Sequence, residues 1–132
     1  MKFNLQDLNP GAKFFFDEAN PAAGSITLRA LNMEVLDEIR AKTTKRRVEY
    51  GEDGQRQEFI DVDEKLRDDL TWAYVIQGWA GVEDEEGRPI PCTDGNKATL
   101  MRGSLVFSGL VNKFLKKLNR DMKKRAEAER KN

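Results

Sequence analysis

The chain has 132 residues, 35% charged and 39% apolar, with 23 Lys and Arg balanced by 23 Asp and Glu, one cysteine and no histidine. That suffices for one domain with a modest core, and it lies above the apolar range of full disorder. The charge balance argues against a general nucleic-acid binder, and the lone Cys92 excludes an internal disulfide framework and suits a reducing cytosol.

In chain order, the first eleven residues, MKFNLQDLNPG, hold no apolar signal core, and no later stretch is long enough to span a bilayer. An intracellular protein is expected. Residues 13–17, KFFFD, read as a strand. Asn20-Pro21-Ala22-Ala23-Gly24 is a turn, because proline fixes φ and glycine permits positive φ. Residues 25–31 then alternate, with Ile26, Leu28 and Ala30 on one face and Thr27 and Arg29 on the other, and should pair with the first strand as a hairpin.

Asn32 is placed to cap a helix with Glu34 in its first turn and Val35, Leu36 and Ile39 as its apolar stripe, ending near Thr43-Thr44. KRRVEY and QRQEFI, joined by GEDG, predict a second hairpin with at least one wet face. Asp61 and Glu64 have the spacing of a capping box, which predicts a helix over 62–78. Leu66, Leu70 and Ala73, extended by Trp72, Ile76 and Trp79, would be its buried side, and Gly78 and Gly81 its end.

The connector 78–97 concentrates tryptophan, glycine, proline and the only cysteine. Its residues suit backbone tasks: a tight turn at Glu85-Glu86-Gly87, an extended Pro-Ile-Pro segment, and a cap at Thr93 or Asp94. We read it as a rigid joint of Trp79, Gly81, Gly87, Pro89, Ile90, Pro91, Cys92, Thr93 and Asn96, with Trp79, Ile90 and Pro91 buried and the acidic run 83–86 exposed. NKATLMRG is a short helix, and Ser104 caps a last helix over 105–128. There Phe107, Leu110, Val111, Phe114, Leu118 and Met122 recur every three or four residues. Phe107, Leu110, Val111, Phe114 and Leu118 are the candidate partner-binding residues, with part of the stripe packed on the core and the part from Phe114 onward open to a partner, and the polar tail 123–132 is expected to fray or project. These elements predict an α+β fold: a small antiparallel sheet or two hairpins, three to four helices, and a long amphipathic C-terminal helix. One domain is expected over 1–132, hairpin-rich over 1–61 and helical over 62–128.

Chemistry is sparse. Without histidine, the commonest general base and metal ligand are missing, and Cys92 alone makes no zinc site. The run Glu83-Asp84-Glu85-Glu86 does not meet the ligand register of a calcium loop, and no phosphate-binding GK[ST] follows Gly51 or Gly54. No catalytic, cofactor or metal residues are expected, and no enzyme. Lys113, Lys116, Lys117, Arg120, Lys123, Lys124 and Arg125 form a basic stripe on the last helix, without interleaved aromatic residues for base stacking. A small nucleic-acid-binding or regulatory protein acting through that helix is the alternative function.

The order W-x-G-V-x-D-x-x-G-x-P-I-P-C-T-x-x-N-K resembles small tail assembly chaperones of long-tailed bacteriophages and prophages. Here it is carried by Trp79, Gly81, Val82, Asp84, Gly87, Pro89, Ile90, Pro91, Cys92, Thr93, Asn96 and Lys97. The segments DLNPGAKFFFD, NPAAGSITLRAL and YGEDGQRQEF are similar to that family as well, so the likeness covers most of the chain. Asp94-Gly95 departs from its pattern, where a better helix former is usual, and a late helix start is expected there. The resemblance implies a non-enzymatic protein of the bacterial host cytoplasm, absent from the mature virion. Such a protein binds and solubilises the apolar tape-measure protein and helps recruit tail tube subunits. A second copy of the chain is a further candidate partner; a membrane is not, and nucleic acid is not favoured.

Overall fold

The computed structural model describes residues 1–131, with the side chains of 129 and 131 excepted. The fold is α+β, and the chain forms two compact units, residues 1–30 with 72–132 and residues 31–71. The chain expected to be one domain thus clusters into two units, and a strand from the half expected to be helical completes the sheet begun by the first.

The first unit is built on a three-stranded antiparallel sheet of β1 (Ala12–Phe15), β2 (Ser25–Leu28) and β5 (Ile76–Ala80), with β2 in the middle. A single 3-10 turn, Pro21–Ala23, connects β1 to β2, and Gly24 leaves it at φ 123°. Phe14 pairs with Ile26, and Ile26 with Trp79. Directly opposed residues share a face, so these three form one apolar row across the sheet. The long helix α4 (Leu105–Lys131) lies on that row. Phe14 stacks on Phe114 at 5.0 Å, and Trp79 meets Phe107 edge-on at 5.8 Å. Ile26, Leu28, Ile76 and Val111 are the side chains most completely removed from water.

The second unit holds α1 (Met33–Thr43) and the hairpin of β3 (Thr44–Tyr50) and β4 (Arg56–Val62). Asn32 caps α1 by accepting from Val35 N at 2.9 Å, as its spacing predicts. The hairpin is in register from Thr44 opposite Val62 to Tyr50 opposite Arg56, and almost all of its side chains are exposed, on both faces. Arg47 holds it across the strands, with Nε 3.0 Å from Asp61 and its guanidinium over the Phe59 ring.

Several expectations are corrected. The helix expected over 62–78 is α2 (Glu64–Val75), and β5 follows it without a break. Val75 and Ile76 are β-branched and Gly78 is a poor helix former, so the last turn has little local support against pairing with β2. Gly78 thus sits within a strand, and Gly81, at φ 73°, ends it. The cap of α2 is Asp63, accepting from Leu66 N at 3.0 Å, whereas Asp61 belongs to β4 and faces Lys45. Helix α3 (Asp94–Gly103) starts at once despite Gly95, because Thr93 Oγ1 accepts from Asn96 N. Of the two outcomes expected for the polar tail, to fray or to project, it does not fray: it continues α4 to Lys131 with its described side chains exposed, and residue 132 lies outside the described residues.

Candidate partner-binding groove

The connector lies between β5 and α3, not between two helices. Val82 and Ile90 pair through Ile90 N to Val82 O at 2.8 Å, and Glu83 bridges Pro89, so the acidic run is the tip of a tight β-turn. Asp84 holds that tip: its Oδ1 accepts from Glu86 N and Arg88 N, and its Oδ2 from Arg88 Nε. Gly87 turns the chain at φ 79°. At the base, Trp79 Nε1 donates to Ile90 O at 2.7 Å, and Asn96 Nδ2 to Pro91 O at 2.9 Å. A β-carbon on Gly81 would lie 2.7 Å from Gly24 Cα, so the two glycines let the ends of β2 and β5 approach closely.

Burial in this stretch is less than expected. Trp79 and Ile90 are half-buried and Pro91 is exposed; its ring restricts the backbone without filling the core. Cys92 is half-buried, and burial pushes its thiol above the ordinary value while the Lys97 charge and a backbone hydrogen bond to Trp79 pull the other way. A thiol held protonated at neutral pH is a poor nucleophile. Lys97, 7% exposed, reaches inward to donate to Ala73 O at 3.1 Å and Asp94 Oδ1 at 3.3 Å. It ties the start of α3 to the carbonyl end of α2, a task that charge patterning alone does not reveal.

Among the described residues no group of three or more Cys, Asp or Glu could hold a metal ion, and no helix is long and apolar enough to cross a membrane.

The apolar stripe of α4 is mostly core. Phe107, Val111 and Phe114 are buried and Leu110 is half-buried, so Phe114 is not the open position that was expected. It is taken up by Phe14. Leu118, half-buried, is where the stripe leaves the sheet, and from there it lines an open groove of ≈ 630 Å³ between α4 and the N-terminal segment. Phe3 and Leu8 form the opposite wall, and Met122 continues the α4 wall one turn beyond Leu118. These three are 71%, 64% and 48% exposed. Asp121 and Arg125 add a charge of each sign to the lining.

The N-terminal wall is anchored. Asn9 Nδ2 donates to Ala30 O at 2.7 Å and lies 2.8 Å from the Tyr74 hydroxyl, while Arg29 Nε donates to Tyr74 O and its guanidinium covers the Tyr74 ring at 3.8 Å. Phe3 and Leu8 are thereby presented by a segment held to the rim of the sheet. The sequence does not single them out, because four residues lie between them and neither strand nor helix periodicity links them. Their one visible signal is the unneeded apolar content of MKFNLQDL. Comparison with family models, with curated proteins and with solved structures finds no match.

Proposed function

We propose that this chain is a tail assembly chaperone of long-tailed bacteriophages and prophages, and that it holds an amphipathic helical segment of the tape-measure protein in the groove beside α4. The observation that carries the reading is the apolar stripe that runs out of the core at Leu118 into an open groove walled by Phe3, Leu8 and Met122. A preformed groove of this kind suits the apolar face of a helix, read by side chains at three- and four-residue spacing. The resemblance of the connector string supports the identity of the client. The role is non-enzymatic: the client's apolar face is covered in the bacterial cytoplasm until tail tube subunits polymerise around it, and the chaperone then leaves.

The test is co-expression with a tape-measure fragment, measuring the fragment's soluble fraction. Leu118→Asp with Met122→Asp should lower that fraction to the level of the fragment expressed alone, while the chaperone itself stays soluble. Undiminished rescue by this variant would remove the groove from the function.

A further inference from the structure

We propose that the chain assembles head to tail, with the acidic unit of one copy docked on the basic outer face of α4 of the next. The overall neutrality conceals a division. Residues 31–71 carry 12 of the 23 acidic and 8 of the 23 basic side chains, which leaves 11 acidic and 15 basic to the other unit. The two units therefore bear opposite net charges of equal size. A neutral chain with this polarity attracts copies of itself in one orientation and repels them in the other.

The excess cations are ordered. Lys113, Lys116, Lys117, Arg120, Lys123 and Lys124 recur at three- and four-residue spacing along α4, and every one of them is exposed. At 3.6 residues per turn they fall on one side of the helix, roughly opposite the buried Phe107, Val111 and Phe114. Among the described residues, Lys117 alone of the six has an ion pair, with Glu18 at 3.7 Å. The same side begins with Leu105 and Val106, 91% and 75% exposed. Its chemistry is thus two apolar side chains followed by a strip of cations about 16 Å long. The groove proposed for the client lies on the other side of the helix, so both surfaces can be occupied together.

The unit 31–71 offers the complement. Glu34 and Glu38 stand one turn apart on α1, exposed and without an ion-pair partner among the described residues, and Glu64 opens α2. Between α1 and the hairpin runs a groove of ≈ 460 Å³, where Leu36, Ile60 and Val62 are exposed and the charged lining is Arg40 and Arg67. Glu34 and Glu38 fall on the side of α1 away from that groove, so the acidic side chains alone are the match for the strip of cations. A two-stranded hairpin wet on both faces is also marginal by itself, and docking would cover it. Because the two surfaces differ, the contact is heterologous, and repetition gives a ring or an open filament.

Light scattering on the full chain tests this. At about 50 mM salt the mass should rise with protein concentration, and at about 500 mM, where exposed charges are screened, it should fall to the monomer. Lys116→Glu, Lys123→Glu and Lys124→Glu together should give a monomer at low salt. So should Glu34→Lys, Glu38→Lys and Glu64→Lys together. Mixing the two triple variants, or combining all six changes in one chain, should restore association, because both contacts again join opposite charges. A wild type that is monomeric at low salt overturns the proposal. So does association that the charge reversals leave unchanged. Salt-sensitive binding of double-stranded DNA by a monomer, lost in the α4 variant, would overturn it and give the basic face to nucleic acid instead.

Discussion

The two units of this chain divide their apolar burial unequally. The sheet-and-α4 unit holds Phe14, Ile26, Leu28, Val75, Ile76, Phe107, Val111 and Phe114 out of water, whereas residues 31–71 bury only Ile39 and Thr43. Burial of apolar surface is the dominant favourable term in folding. The first unit is therefore held by its core. The second relies on backbone pairing, the Asn32 and Asp63 caps, and surface ion pairs such as Arg46 with Glu58 at 3.4 Å, which contribute little in water. A part held by its core and a strongly charged part with a thin core are joined in one chain.

The sharpest way to break that comparison is through Ile76. Its side chain is fully buried, and its strand was the element least expected from the sequence. Ile76→Ala should cost about 2–5 kcal/mol in chemical denaturation, by lost transfer energy and the cavity left behind. Leu36→Ala, the same kind of truncation at a 38% exposed side chain of the second unit, should cost less than about 1 kcal/mol. Equal losses at the two sites would mean that both units share one core.

What was legible in the sequence follows the range over which each signal acts. The β1–β2 hairpin, the Asn32 and Ser104 caps, the glycine-bracketed turn of β3–β4 and the stripe of α4 are all written within a dozen residues, and each stands where its pattern places it. Strand β5 was misread as helix because Trp72, Ile76 and Trp79 extend a helical spacing, while its real partner, β2, lies about fifty residues earlier. The alternation that marks β2 as a strand does not say which distant segment pairs with it. The capping aspartate was misplaced by two positions, since Asp61 and Asp63 are chemically alike and only the hairpin register claims the first. The groove was invisible for the same reason as β5: Phe3 and Met122, far apart in sequence, line it from opposite walls.

A smaller effect sharpens the comparison inside the first unit. Lys97 is a buried polar group that works by hydrogen bonding, not by apolar area. Lys97→Ala leaves the Ala73 carbonyl without its donor and should cost about 1–3 kcal/mol. Lys97→Met, which loses the same hydrogen bond but keeps the packing of the apolar stem, should cost less than alanine. Denaturant midpoints of the two variants measure the difference. A larger loss for methionine than for alanine would mean that the stem is overpacked and that the hydrogen bond is not the main contribution.

The smallest effect is expected at the hairpin tip. Tyr50 is 71% exposed and closes the β3–β4 ladder opposite Arg56, next to the Gly51–Gly54 turn. Tyr50→Ala should change the stability of the monomer by no more than about 0.5 kcal/mol, as surface truncations usually do. The measurement belongs at high salt, where charge pairing between copies is screened. Native-state hydrogen exchange gives the companion readout. Amides of β3 and β4 should exchange through local opening, at rates that denaturant and Ile76→Ala barely alter, while those of β2 and β5 follow global unfolding. The reason is physical continuity: the row Phe14–Ile26–Trp79 locks the three-stranded sheet under α4, and no comparable row covers the hairpin. If β3 and β4 were protected as strongly as β2 at high salt, something in the monomer would already cover the hairpin, and its exposed face would not be free for a second copy.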